Sequence, residues 1–289
     1  MKDKWWAGQD PQKIEIARIS NNRRKSQLLQ KKLYVFDQDG TIYLNFKPLQ
    51  GARDFINYLN KRNRQIVFIS NNSSIGTSTY RRKLTKLLGI KITQDQIYNS
   101  TLATVQYLHS NGITKIYCLG TPDFVDELFS YGLKTTEKDP QIVVLAFDTT
   151  LTYEKLKKTC LFIRSGLDYI ATHPDKVCPT QEGLIPDTGS FISLIETATG
   201  VKSKKILGKP NPDLIYFLLD KLHVSSEDTI IFGDRLYTDI QMGKNSDITT
   251  ALVLTGESKM GDIDRYGVVP DFVFKDLKEV FELLKEMEK

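Results

Sequence analysis

Short unbroken apolar runs alternate along this chain with stretches in which apolar residues recur every three or four positions. The runs at 33–36, 65–69, 116–120, 142–147, 169–172, 229–232, 249–254 and 272–274 are rich in Val, Ile, Phe and Tyr, and they read as strands buried on both faces. Between them, helical spacing predicts helices near 52–59, 79–88, 102–108, 123–129, 153–163, 191–198 (closing at Gly200), 214–222 and 277–287. Residues 42–47 mix Tyr, Leu and Phe ahead of Pro48 and predict a small flap or hairpin. The Pro- and Gly-punctuated passage 173–187 reads as turns at a domain edge. Strands alternating with helices predict an α/β fold with a doubly wound, mostly parallel sheet, whose ligand sits beyond the carboxyl ends of the strands.

Composition narrows the picture. With 289 residues, 40% hydrophobic and 26% charged, the chain is long enough for one large domain or two moderate ones and ordinary for a globular protein. The formal charge of +5 is unevenly spread: residues 1–32 hold nine Lys/Arg against three Asp/Glu, and the remainder holds 31 against 32. A basic N-terminal arm (residues 1–30) on a neutral body argues against a nucleic-acid-binding face on the folded part. The arm itself reads as loosely ordered or as a surface helix. Cys118, Cys160 and Cys178 are far apart and odd in number, the pattern of reduced thiols in a cytoplasmic compartment. No apolar run reaches membrane-spanning length, so no membrane partner is expected.

The candidate chemistry lies at strand ends. The run 33–36 stops at Asp37-Gln38-Asp39-Gly40-Thr41. On an extended strand end, side chains i and i+2 point the same way, so Asp37 and Asp39 can face one reacting atom. Gly40 permits a sharp turn, and the Thr41 hydroxyl can bond the loop it leaves. Buried acids are costly without an offsetting cation or proton, and a metal ion is the usual answer. A second strand ends in Ser70-Asn71-Asn72-Ser73, either a plain turn or a set of small donors for an oxyanion. The run 229–232 leads into Gly233-Asp234-Arg235-Leu236-Tyr237-Thr238-Asp239, and Gly208-Lys209-Pro210 supplies a loop lysine. Singly, Asp234 and Asp239 could be turn or N-cap residues and Lys209 a surface lysine.

Taken together they suit phosphate-ester chemistry. Asp37 would attack phosphorus, and Asp39 would protonate the leaving alcohol and then deprotonate water. Asp234 would complete a magnesium site, with Asp239 as a further ligand or an anchor behind it. Lys209 and Ser70 would hold the non-reacting oxygens.

The ordered set Asp37-x-Asp39-Gly40-Thr41, Ser70-Asn71-Asn72, Gly208-Lys209-Pro210 and Gly233-Asp234-Arg235-Leu236-x-Thr238-Asp239 resembles the haloacid dehalogenase superfamily of phosphatases, in the branch with the NagD-type and p-nitrophenyl phosphatases. The resemblance covers about residues 31–289. It implies a Rossmann-like core at 31–112 and 188–289 with a smaller α/β cap inserted at about 113–187. It also implies an obligatory magnesium ion held by Asp37, Asp39 (through its backbone carbonyl), Asp234 and Asp239, with Asp37 as nucleophile and Asp39 as acid/base.

Substrate contacts would come from Ser70, Asn71, Asn72, Lys209 and the cap loop around Ala171-Thr172-His173-Pro174-Asp175 and Gly183-Leu184-Ile185-Pro186. That branch usually has asparagine at position 173, so His173 is a departure. Cys178 lies where some relatives use a specificity residue, or is an ordinary loop thiol, and Tyr43 and Tyr237 are further candidates for lining the pocket. Cap-mediated dimers occur in that branch, which makes a homodimer the assembly to test. The expected activity is hydrolysis of a small phosphorylated metabolite such as a sugar phosphate. A phosphoryl-binding scaffold with little turnover and a phosphotransferase are the alternatives.

Overall fold

The computed structural model describes residues 25–180 and 182–287, so most of the basic arm lies outside the described residues. Those residues form two compact units: 25–69, 81–97 and 212–287 in the first, and 70–80 and 98–211 in the second.

The first unit is built on a six-stranded sheet. Its order is Phe272–Phe274, Thr249–Val253, Thr229–Gly233, Leu33–Asp37, Gln65–Ser70 and Ile97–Asn99. The central pairings are parallel, and Phe36 lies directly opposite both Phe232 and Phe68. The Phe36 and Phe232 rings stack with centroids 5.0 Å apart, and Phe55 of the helix Ala52–Lys61 meets both edge-on. Such aromatic pairs add about 0.5–1.5 kcal/mol each beyond the area they bury. A one-residue slip of either strand would turn its phenylalanine to the opposite face, so the rings pin the register. The residues immediately after Phe36 and Phe232 are Asp37 and Gly233-Asp234. Packing in the core therefore aligns the two acidic strand ends.

The tail of the arm belongs to this unit: residues 25–30 are helical, Leu28 is fully buried, and its carbonyl accepts the Tyr34 hydroxyl at 2.7 Å. The flap expected at 42–47 is a two-stranded antiparallel hairpin, Tyr43–Leu44 with Lys47–Pro48.

The second unit carries its own parallel sheet, in the order Lys205–Ile206, Tyr169–Ala171, Ile142–Leu145, Lys115–Leu119 and Lys134–Thr135. Alternate residues of the run 142–147 enter two separate cores. Ile142, Val144 and Ala146 pack with Phe124 and Leu128, while Val143, Leu145 and Phe147 pack with Phe191 and Ile195. Burial on both faces is why that run carries no polar residue.

The structure corrects the reading of 173–187 as turns alone. Val177–Thr180 and Gly183–Pro186 form an antiparallel hairpin, with Val177 opposite Pro186 and Pro179 opposite Leu184. An isolated ribbon leaves one edge of each strand unpaired, which is where a proline without an N–H is tolerated. The short strands Ile97–Asn99, Lys134–Thr135 and Lys205–Ile206 were not legible in the sequence, because two or three residues carry no periodicity. Among the described residues no helix is long and apolar enough to cross a membrane.

Candidate active site

In the first unit, the strand Leu33–Asp37 delivers Asp37 into a tightly wound loop. The Gln38 carbonyl accepts the N–H groups of Thr41, Ile42 and Tyr43 at 3.3, 2.8 and 3.2 Å, and Gly40 N–H donates to the Tyr43 carbonyl at 2.8 Å. Gly40 stands at φ +87°, and a Cβ there would fall 2.6 Å from Asp234 Oδ2, so only glycine fits on both counts. Thr41 departs from expectation: its backbone N–H serves the turn, but its buried hydroxyl finds no hydrogen-bond partner among the described residues. Asp39 is half-buried, and the Tyr43 hydroxyl donates toward its Oδ2 and toward Gln38 Oε1, each at 3.2 Å.

Asp234 follows the strand Thr229–Gly233, and Asp239 lies in a short wide helical turn, Leu236–Ile240. The turn aims Asp239 back at its own start, where Arg235 N–H donates to Oδ2 at 3.1 Å. Asp37, Asp234 and Asp239 are all buried, and each brings an oxygen within 4.8 Å of the other two. Asp234 Oδ2 accepts Glu257 N–H at 2.7 Å, whereas its buried Oδ1 has no hydrogen-bond partner among the described residues. Burial first, then the charges of Asp37 and Asp239, push the Asp234 carboxyl well above the ordinary carboxylate range. Three crowded carboxylates with one oxygen unsatisfied fit a hard, oxygen-seeking divalent cation such as magnesium. Asp37, Asp234 and Asp239 are the residues that would hold it.

The loop after the strand Thr249–Val253 completes this cradle and was not singled out from the sequence. The Thr255 hydroxyl donates to the Gly40 carbonyl, Ser258 Oγ accepts Leu236 N–H at 3.1 Å, and a Cβ on Gly256 would lie 1.9 Å from Asp234 Oδ2. Its signal was a Thr-Gly pair just past a strand end, the same grammar as Gly40-Thr41. Tyr237, a candidate for lining the pocket, donates its hydroxyl to Glu257 Oε1 at 2.7 Å.

The second unit gathers the other predicted residues. Asn71 Oδ1 accepts Lys209 N–H at 2.8 Å, and Asn71 Nδ2 donates to the Lys209 carbonyl at 3.1 Å and to Asp175 Oδ2 at 3.2 Å. The carboxamide thus mimics a strand partner for Lys209 and fixes the root of that side chain. Ser70 and Lys209 are buried. Asn72 shapes its own loop, its Oδ1 accepting both the N–H and the hydroxyl of Ser74 at 2.8 and 2.7 Å.

His173 is fully buried, with Nδ1 2.8 Å from Thr172 Oγ1 and Nε2 2.8 Å from Asp187 Oδ1. Asp187 also caps the helix Thr188–Thr199 by accepting Thr188 N–H. Both ring nitrogens are thereby spent inside the unit, so His173 braces the loop rather than offering a free donor to a ligand. Cys178, half-buried in the hairpin, forms no disulfide, and neither do Cys118 and Cys160.

Residues 34–134 match the haloacid dehalogenase-like hydrolase family, and residues 206–280 match the HAD-hydrolase-like family. The acid sugar phosphatase of Staphylococcus saprophyticus is 35% identical over 261 residues, spanning 89% of this chain and 98% of the relative. The chain belongs to the haloacid dehalogenase-like hydrolases.

Among solved structures, the 4-nitrophenylphosphatase of Thermotoga maritima superposes with a TM-score of 0.85 at 43% identity, covering 89% of this chain and 98% of that one. The glycerol phosphate phosphatase of Mycobacterium tuberculosis, solved in complex with magnesium, gives a TM-score of 0.80 at 25% identity, covering 88% of this chain and 77% of that one. Within the family the chain thus falls with the NagD-type and p-nitrophenyl phosphatases, as its motifs imply, among enzymes that hydrolyse phosphoric monoesters.

Proposed function

We propose that this chain is a magnesium-dependent phosphatase of small phosphorylated metabolites, with sugar phosphates as the substrate class and p-nitrophenyl phosphate as a generic substrate. The observation that carries the reading is the convergence of Asp37, Asp234 and Asp239, with an unsatisfied oxygen on Asp234. When bound, the ion offsets the repulsion between these acids and a phosphate dianion and polarises the phosphoryl oxygens.

Asp37 attacks phosphorus, the bond to the leaving oxygen breaks, and an aspartyl-phosphate forms on the Asp37 carboxylate. Asp39 donates a proton to the departing alcohol, then takes one from the water that cleaves the aspartyl-phosphate. Tyr43 keeps Asp39 oriented through the 3.2 Å contact between its hydroxyl and Oδ2. Ser70 and Lys209 are assigned, on their motifs, to the non-reacting phosphoryl oxygens, and Asn71 holds Lys209 for that task. The segment 113–187 is assigned to substrate selection as the cap. Three cysteines without a disulfide suit a cytoplasmic compartment.

The test is turnover of p-nitrophenyl phosphate with and without magnesium, in the wild type and in Asp37→Asn. Turnover that needs magnesium and disappears in the variant is expected. Full activity of Asp37→Asn, or activity indifferent to EDTA, refutes the mechanism.

A further inference from the structure

Lys83 lies on the helix Thr77–Leu88, and its ammonium stands 3.5 Å above the centre of the Tyr43 ring. Phe46, at the tip of the neighbouring hairpin, faces the same ammonium at 5.5 Å. Tyr43 is fully buried, and its hydroxyl reaches Asp39 Oδ2. Leaving-group acid, phenol and ammonium therefore form one short series within the first unit.

Lys83 differs in its surroundings from Lys31 and Lys155, two other sheltered lysines. Lys31 bonds the Glu227 carbonyl and Thr249 Oγ1. Lys155 bonds Asp148 Oδ2 at 2.7 Å, Thr150 Oγ1 at 3.0 Å and the Gly120 carbonyl at 3.1 Å. Lys83 makes no hydrogen bond and no ion pair among the described residues; it rests on two aromatic faces. Burial lowers its pKa, an effect the charge of Asp39 opposes. A half-buried ammonium whose donors meet no oxygen of the described residues loses part of its hydration, and lysines usually extend fully to water to avoid that cost. Such a group marks a place where an anion is expected.

The chemistry of the site says which anion. On the proposed function, on which this inference rests, Asp39 touches the leaving oxygen, so the leaving group passes the Tyr43 side of the site. Four acids (Asp37, Asp39, Asp234 and Asp239) crowd that region, and an anionic leaving group would be repelled unless a cation stood on its side. Arg235 is already engaged by Glu257 at 3.0 Å. Lys83 feels the charge of Asp39 but makes no ion pair among the described residues.

We propose that Lys83 is a specificity-determining residue that pairs with a carboxylate on the leaving-group portion of the substrate. The substrate class narrows accordingly, from phosphorylated sugars in general to phosphate monoesters of hydroxy acids, sugar acids included. The cation–π contact with Tyr43 holds the ammonium in place until the carboxylate arrives.

A matched pair of esters tests this. 3-Phosphoglycerate and glycerol 3-phosphate differ in one carboxylate, and kcat/KM for each is measured with saturating magnesium in the wild type, Lys83→Met and Lys83→Arg. The wild type is expected to favour the carboxylated ester by tenfold or more. Lys83→Met is expected to collapse that ratio toward one, with the loss appearing in KM, and Lys83→Arg is expected to retain most of it. A wild type without the preference, or a Lys83→Met that keeps it, overturns the proposal. So do equal losses on both esters, which would assign Lys83 to holding Tyr43 and Asp39 in place. A wild type that turns over neither ester nor p-nitrophenyl phosphate overturns the phosphatase reading as well, whereas turnover without preference overturns only the role of Lys83.

Discussion

Replacing Asp234 by asparagine should make the metal-free protein more stable while destroying the proposed metal site. The oxygens of Asp37, Asp234 and Asp239 lie within 4.8 Å of one another, and at an effective dielectric near 20 each fully charged pair at that separation costs about 3.5 kcal/mol. Asp234 already relieves part of this by holding its proton to higher pH. Asparagine removes the rest: its amide oxygen can still accept Glu257 N–H, and its NH2 can donate to the neighbouring carboxylates. A net gain of about 2–3 kcal/mol is expected, or about 3–5 °C in Tm for a chain of this size.

The sign with pH follows from the raised carboxyl. Stability associated with protonated Asp234 is present at low pH and is lost as pH rises through its elevated pKa. The advantage of Asp234→Asn should therefore be absent in acid and grow toward neutrality. The assay is thermal unfolding in EDTA and in magnesium across that range. In magnesium the order reverses, because the wild type gains binding energy that the variant forfeits. A metal-free variant melting at or below the wild type, or one stabilised by magnesium as much as the wild type, refutes the reasoning.

Three further outcomes are expected. Gly256→Ala would set a Cβ 1.9 Å from Asp234 Oδ2, so the carboxylate must shift; kcat/KM should fall by roughly a hundredfold, with the circular dichroism spectrum retained. Asn71→Ala removes both main-chain bonds to Lys209 and the one to Asp175, which should cost about 2–3 kcal/mol in unfolding free energy and raise KM, read by denaturant titration and steady-state kinetics. Glu127 caps the start of the helix Thr77–Leu88 through Thr77 and is raised by burial, against the hydrogen bonds it accepts from Thr77. Its contribution is present below the ordinary glutamate range and lost as pH rises through the elevated value, so Glu127→Gln should flatten that part of the stability–pH curve in chemical denaturation.

Much of the candidate site was legible because the fold writes it at strand ends. A parallel strand buried on both faces can carry no polar residue until it emerges, so Asp37 after Phe36, Ser70 after Ile69 and Asp234 after Gly233 announce themselves as abrupt changes in polarity. The hairpin at Tyr43–Pro48 and the strand Phe272–Phe274 were legible for the same reason of local pattern. Loop residues whose roles depend on distant partners were not. Thr255, Gly256 and Ser258 look like an ordinary turn until the sheet carries them to Gly40, Asp234 and Leu236, and Thr41 lost its expected hydroxyl bond because burial left that atom no acceptor. His173 read as a ligand contact, but an aspartate fourteen residues later claims its ring.

Sequence alone determined the α/β alternation, the four motifs and the residue types capable of phosphate chemistry, since hydrophobic period and strand-end polarity are local properties of a chain. Tertiary structure decided which of those acids converge, which groups are struts, and that Lys83 stands over two aromatic rings. Those are matters of distance and desolvation, and both arise only when remote segments are packed together.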